Sequence, residues 1–248
     1  MKSPTSRPSG STARRGRSAR TAPQQVSKPR TAAGLQTQTC ILDVAEEICA
    51  REGFEGLSIR TIADIAGVNL AAINYHFGTK QQLFEAMFRR RVVPLNEERL
   101  AMLEDCGTPR ARGYLEKVVR AFVTPPMKLL DSPQLNGRPA LVVMQFLARV
   151  FATPGEGPFL AEYYEPVRSR FVQALAQALP GLALEDVLWR YNLMVGGIIY
   201  AMAGTERMTR PPIAFAGATP AAASPAADDA IEQMIRYFVA GMRAGAAS

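Results

Sequence analysis

Between Thr39 and Glu52 apolar side chains recur at helical spacing. Ile41, Leu42, Ala45, Ile48 and Cys49 fall on one face, and Gly53 follows as a stop. Ser58 is an N-cap candidate for a short helix, Ile59–Ala66, in which Ile62, Ile65 and Ala66 share a face. Gly67 stands where the chain must turn with a positive φ, and Val68 fills the corner. Asn69 then caps a second short helix, Leu70–Phe77, and Gly78 ends it. Thr79-Lys80-Gln81-Gln82 reads as a capping box that opens a fourth helix through Leu83, Phe84, Met87 and Phe88. Two short helices joined by a tight glycine turn form the helix-turn-helix pattern. Ala63 keeps the joint small, while Ile62, Val68 and Ile73 supply the apolar contacts that fix the crossing angle.

Beyond Pro94, which should kink or divide the fourth helix, the pattern reads as a helical bundle. Candidate helices cover 95–105, 110–130, 139–152, 159–179, 184–208 and 228–245. No segment alternates with period two over strand length, so no sheet is expected. Residues 210–227, rich in Ala and Pro, read as a long mobile loop. The stretch 141–151 is apolar on nearly every side and should be central. Its polar members, Gln145 and Arg149, share one face; they either meet the N-terminal helices or solvent, or orient a ligand. The 184–208 helix carries Leu193, Gly197, Ala201 and Gly204 as a stripe of mostly small residues, and the last helix carries Ile231, Ile235, Phe238 and Met242. These stripes serve either a seam between two copies or a core inside one chain.

The second short helix has the surface of a nucleic-acid reader. Asn69, Asn74, Tyr75 and His76 stand among Ala71 and Ala72, a slim, uncharged, hydrogen-bonding face that lets a backbone approach closely. Asn side chains pair with adenine edges in the major groove, while Tyr and His reach phosphate. A solvated helix would more usually carry Lys and Glu there. His76, the single histidine, has no nucleophile or carboxylate grouped with it in sequence, so it reads as part of this surface and not as a catalytic base.

The net charge of +7 changes this picture less than its sign suggests. Residues 1–38 hold eight basic residues and no acid, which leaves 21 basic against 22 acidic residues in the rest. Residues 1–36 have almost no large apolar side chain and read as a disordered basic tail, either inert or contacting phosphate. Arg14-Arg15 is followed by no apolar stretch, so an export signal is not expected. A structural zinc site needs about four nitrogen or sulfur ligands, so it would have to use all three cysteines and the one histidine, and a zinc enzyme is not expected. Cys40 and Cys49, nine apart on one helix, point to opposite sides at about 100° per residue. They read as reduced, buried thiols of a cytoplasmic protein. With no run of about eighteen apolar residues, no spanning helix is expected.

The segment 39–90 resembles the DNA-binding domain of TetR/AcrR-family transcriptional regulators. The likeness lies in Gly53-Phe54, in Ile62-Ala63 followed by Ala66-Gly67-Val68, in Tyr75-His76-Phe77, and in Lys80 with Leu83. It implies an all-α protein: a three-helix DNA-binding domain with the helix-turn-helix (37–93), then a helical effector and dimerisation bundle (94–248), after the disordered tail. It also implies DNA contacts from Ser58, Arg60, Thr61, Asn69, Ala71, Ala72, Asn74, Tyr75, His76, Thr79 and Lys80. Asn74 departs from the Tyr found in many members, which bears on base preference. The last two long helices would pair with their mates in a homodimer through Leu193, Gly197, Ala201, Gly204, Ile231, Ile235, Phe238 and Met242. An effector cavity among the bundle helices would hold a small apolar molecule against Phe122, Met144, Tyr163, Trp189 and Met194.

The resulting expectation is a ligand-responsive repressor on a palindromic double-stranded DNA operator, with no cofactor, metal or membrane partner. The alternative is an effector-independent architectural DNA-binding protein. An enzyme is not expected, because no phosphate loop, nucleophile elbow or metal-ligand cluster occurs in the sequence.

Overall fold

The computed structural model describes residues 32–129, 134–135, 138–152, 158–203, 208 and 227–245. Most of the basic tail, residues 1–31, lies outside the described residues, as do Gly204 and most of the 210–227 loop. The first helix, α1 (Ala32–Glu52), begins earlier than the sequence pattern placed it. Residues 32–36, read as the end of the tail, form its first turn; Ala32 and Ala33 are strong helix formers, and this turn needs no apolar stripe to persist.

Helices α2 (Ile59–Ala66) and α3 (Leu70–Phe77) follow as predicted, joined at Gly67. Ile62, Ala63 and Ile73 are buried at their crossing, but Ile65, expected on the same face, is exposed. Helix α4 (Lys80–Glu104) then runs through Pro94 as one helix, so the chain is not divided there. Pro94 removes the donor for the Arg90 carbonyl, yet it sits on the exposed side, where water can serve that carbonyl. The boundary drawn between residues 93 and 94 therefore falls inside one continuous helix.

The remaining helices are α5 (Tyr114–Lys128), α6 (Ala140–Ala152), α7 (Pro158–Ala178), α8 (Leu184–Ala203) and α9 (Ala227–Arg243). Helix α5 starts later than position 110 because Gly113, at φ 78°, sets the chain for entry only at Tyr114. The expectation of no sheet is corrected by one small element. Strands β1 (Gln134–Leu135) and β2 (Arg138–Pro139) pair antiparallel, with Gln134 opposite Pro139, and two residues are too few to leave a period-two signal.

One hydrophobic core joins the N-terminal helices to the bundle. Helix α6 packs on both α1 and α8, and α5 lies between α4 and α9. Phe84, Phe88, Phe146 and Phe171 are fully buried at its centre, each such ring contributing about 1.5–3 kcal/mol. Two devices missed by the sequence reading fix α1 against α4. Arg91 donates through Nε to Glu46 Oε1 at 2.9 Å and through Nη2 to Oε2 at 2.5 Å, both residues being buried. Beside them Arg90 pairs with Asp43 at 2.5 Å. Of the cysteines, Cys49 and Cys106 are buried, whereas Cys40 is exposed, which corrects its reading as a buried thiol. Among the described residues, no helix is long and apolar enough to cross a membrane.

Candidate functional site

Each turn of the helix-turn-helix is held by its own cap. The Ser58 side chain accepts from the Thr61 N–H at 3.4 Å, and the Asn69 Oδ1 accepts from the Ala72 N–H at 2.7 Å. Gly67 adopts φ 66°, a left-handed geometry that costs glycine little, and the Val68 N–H donates back to the Ala63 carbonyl at 3.0 Å. Thr79 and Gln82 close the capping box of α4 reciprocally, at 2.9 and 3.2 Å. Ser58, Asn69 and Thr79 thus spend a side-chain acceptor on the backbone. Each keeps its O–H or N–H donors, beside the positive end of the helix it opens.

Ile73 and Phe77 bury one side of α3 and so set the direction of the other. Ala71, Asn74 and Tyr75 stand exposed on that other side, with Tyr75 77% accessible. His76 is half-buried, its ring edge-on to Tyr75 at 5.3 Å. Arg60 and Thr61 are exposed on the first turn of α2. Lys80, at the start of α4, holds its ammonium 4.5 Å from the centre of the Phe54 ring, which steadies a long side chain near the Tyr75 end of α3. The surface is slim and polar with cations at its rim, suited to a groove whose edges are anionic.

Behind this unit a partly open cavity of about 50 Å³ lies among α4, α5, α7 and α8. Of the residues expected to line an effector site, Phe122 does so. Met144 and Met194 are buried in the surrounding core instead, and Trp189 is 65% exposed on α8. Tyr163 turns its ring to Phe88 and places its hydroxyl 3.4 Å from Glu85, also away from the cavity. The lining includes three residues that the sequence reading did not name: Arg99, Tyr164 and Tyr191. Burial pushes the Arg99 guanidinium down to about 10 and the Tyr191 phenol up to about 12, and it raises Tyr164 well above the usual phenol range. Arg99 falls in register with Leu95 and Leu103 on the apolar side of α4; a cation at such a position was the available signal.

Gln145 and Arg149 face away from this cavity. Arg149 donates through Nε to the Ala50 carbonyl at 2.6 Å and through Nη2 to the Arg51 carbonyl at 2.8 Å. These carbonyls belong to the last turn of α1, where no further helical N–H follows. With Gln145, Arg149 lines a groove between α1, α6 and α8. Of the two readings left open for this face, contact with the N-terminal helices is the one seen.

Residues 41–87 match bacterial regulatory proteins of the tetR family, and residues 120–241 match the tetracyclin repressor-like C-terminal domain. The chain belongs to the TetR family. The HTH-type transcriptional regulator BetI of Rhizobium meliloti (strain 1021) is 27% identical over 156 residues. That match spans 63% of this chain and 62% of the relative's length. A protein from Pseudomonas aeruginosa PAO1, solved as a transcriptional regulator, shares the fold with a TM-score of 0.55 at 20% identity, over 86% of this chain and 92% of that one. A protein from Saccharomonospora viridis, solved in complex with choline, shares it with a TM-score of 0.51 at 16% identity, over 85% and 97% of the two chains.

The last two helices of this TetR-family chain correct the expected seam. Ile231, Ile235, Phe238 and Met242 are buried within the protomer, where α9 packs on α5 and α8. Ala201 is buried too, and Gly197 meets Phe238 of the same chain. Of the residues assigned to a dimer seam, Leu193 alone is exposed among those described. An amphipathic stripe on a terminal helix looks alike whether it covers its own bundle or a second copy, so its partner was not legible. The apolar surface that is uncovered lies on the adjacent face of α8: Trp189, Leu193 and Tyr200, with Gly196 between them, and Tyr237 of α9.

Proposed function

We propose that the protein is a sequence-specific DNA-binding transcriptional regulator, a repressor that binds a palindromic operator as a homodimer and leaves it when a small molecule enters the bundle cavity. The observation that carries the reading is the exposed face of α3. Ile73 and Phe77 hold Ala71, Asn74 and Tyr75 outward, on a helix thin enough to enter the major groove of B-DNA. Asn74 reads base edges, while Tyr75, His76, Lys80 and the amino ends of α2 and α3 hold phosphates.

The exposed stripe of Trp189, Leu193, Gly196, Tyr200 and Tyr237 supports the dimer, since a patch of large apolar side chains at helical spacing is costly to leave in water. A two-fold through α8 and α9 would present two copies of α3, as half-sites one helical turn apart require. The bundle cavity, and the choline held by the Saccharomonospora viridis protein of like fold, support a small-molecule effector over an architectural role.

Footprinting on the DNA upstream of the protein's own gene tests the reading. Protection of one inverted repeat is expected, lost on adding the effector. Even coverage that spreads with protein concentration would instead make the protein architectural.

A further inference from the structure

Arg99 is held in the bundle by a defect in the neighbouring helix. Within α5 the adjacent Pro125 and Pro126 have no N–H, so the Ala121 and Phe122 carbonyls lose their helical partners. Arg99 Nε donates to the Phe122 carbonyl at 3.1 Å, and the guanidinium lies 4.1 Å from the centre of the Phe122 ring. That accounts for Nε and for one face of the cation. It leaves both Nη groups, which have no hydrogen-bond or carboxylate partner among the described residues although the side chain is buried. The same side chain lines the cavity, whose remaining wall is apolar or phenolic: Tyr164, Val167, Tyr191, Val195 and Met202. A buried cation is ordinarily paired, because the cost of removing it from water is repaid only by an opposite charge with good geometry. Here the described residues supply the cation and an apolar chamber, and no anion among them pairs with it.

We propose that the cavity is the site of a compact carboxylic acid, whose carboxylate takes both Nη groups of Arg99 and whose apolar body packs against Val167, Val195 and Met202. The inference rests on the reading of this cavity as the effector site and adds the ligand's chemical class. A guanidinium presents parallel N–H groups that match a carboxylate in bidentate fashion, which a hydroxyl or an amide cannot reproduce. The cavity's size selects short acids. Aromatic walls alone suit a quaternary ammonium, but a fixed positive charge in the same chamber opposes one, so the ligand differs in sign from the choline of the Saccharomonospora viridis protein.

The test uses the full chain without DNA. Thermal shift and calorimetric titration compare straight-chain acids from acetate to octanoate, and benzoate, each with its primary amide and amine, and choline. At least one acid should bind ten-fold or more tighter than its amide, and the amines and choline should not bind. Arg99→Gln retains a donor for the Phe122 carbonyl but no charge; it should lose the preference for acid over amide, and Arg99→Lys should keep part of it. Should Arg99→Gln fail to fold, the acid-to-amide ratio in the wild-type protein decides alone. Equal binding of acid and amide, tighter binding of choline, or no acid that binds would overturn the carboxylate assignment. Because this readout involves no DNA, its failure is separable from that of the regulator reading, which stands or falls on the footprint.

Discussion

Gly197 on α8 lies directly against the Phe238 ring on α9: a Cβ at Gly197 would stand 2.8 Å from Phe238 Cζ. The contact is inside one protomer, so this glycine serves the bundle's own packing. Gly196, one residue before it, faces open space beside the exposed Leu193 and Tyr200. Neighbouring glycines therefore separate two interfaces. Gly197→Leu should overpack the α8–α9 contact and lower stability by about 1–3 kcal/mol in a urea melt. A Cβ at Gly196 meets nothing within 4 Å in the protomer, and Gly196→Leu gains up to about 1 kcal/mol of helix propensity. Its defect should show as a folded monomer in sedimentation, with operator affinity lost because one half-site remains. A Gly197→Leu protein that melts like wild type but sediments as a monomer would move that glycine to the seam.

Asn74 and Lys80 should fail in different ways. Asn74→Ala removes an exposed amide from α3 and should cost about 1–3 kcal/mol on the preferred operator and less on others. Lys80→Ala should weaken all sequences alike and flatten the dependence of log K on log salt by about one unit. Selection from a random library, followed by titration at several salt concentrations, separates the two. An unchanged preferred sequence in Asn74→Ala would remove that residue from base reading.

The N-terminal unit was legible because its signals are local. Ser58, Gly67, Asn69, Gly78 and Thr79 each fix a cap or turn within four residues, and the structure places every one of these in that role. What depends on a distant partner was not. The stripe of Ile231, Ile235, Phe238 and Met242 is apolar whichever surface covers it, and only tertiary packing shows that α5 and α8 do. Trp189 and Arg99 changed places for the same reason. The large aromatic was assigned to a cavity and lies on the protomer surface, and the cation went unremarked and lines the cavity.

Glu46 and Arg91 form a bidentate pair with both side chains almost wholly buried. Desolvation raises the Glu46 carboxyl above its ordinary range even against the attraction of Arg91, so the pair's partners each depend on the other. Removing one should cost more than the pair is worth: Arg91→Ala leaves the buried Glu46 carboxylate with only Arg90, at 3.9 Å and without a hydrogen bond, and should lower stability by about 3–5 kcal/mol. The double variant Glu46→Leu with Arg91→Met should recover most of that loss. Denaturant melts of the three proteins decide it. A double variant no more stable than Arg91→Ala would show that the α1–α4 contact cannot be made by apolar packing alone.

Arg149 ties the bundle helix α6 to α1 of the N-terminal unit. Its guanidinium closes the last turn of α1 through the Ala50 and Arg51 carbonyls, while α6, which carries it, packs on α8, a wall of the cavity. A shift of α8 on ligand entry would reach α1 through this contact, and α1 holds the helix-turn-helix through α2. Arg149→Met retains the aliphatic stem and removes the donors. It should cost about 1 kcal/mol in stability, because the freed carbonyls lie where water can reach part of them. Acid binding to the DNA-free protein should be unchanged, since the cavity is untouched. The ligand-induced loss of operator affinity should shrink by about 0.5–2 kcal/mol, the size of effect found for residues that carry coupling without touching either ligand. The measurement is operator affinity with and without the tightest acid of the series, in wild type and variant. An unaltered ratio would confine Arg149 to capping α1, and the coupling would then have to pass along α4, the one helix common to the helix-turn-helix contacts and the cavity wall.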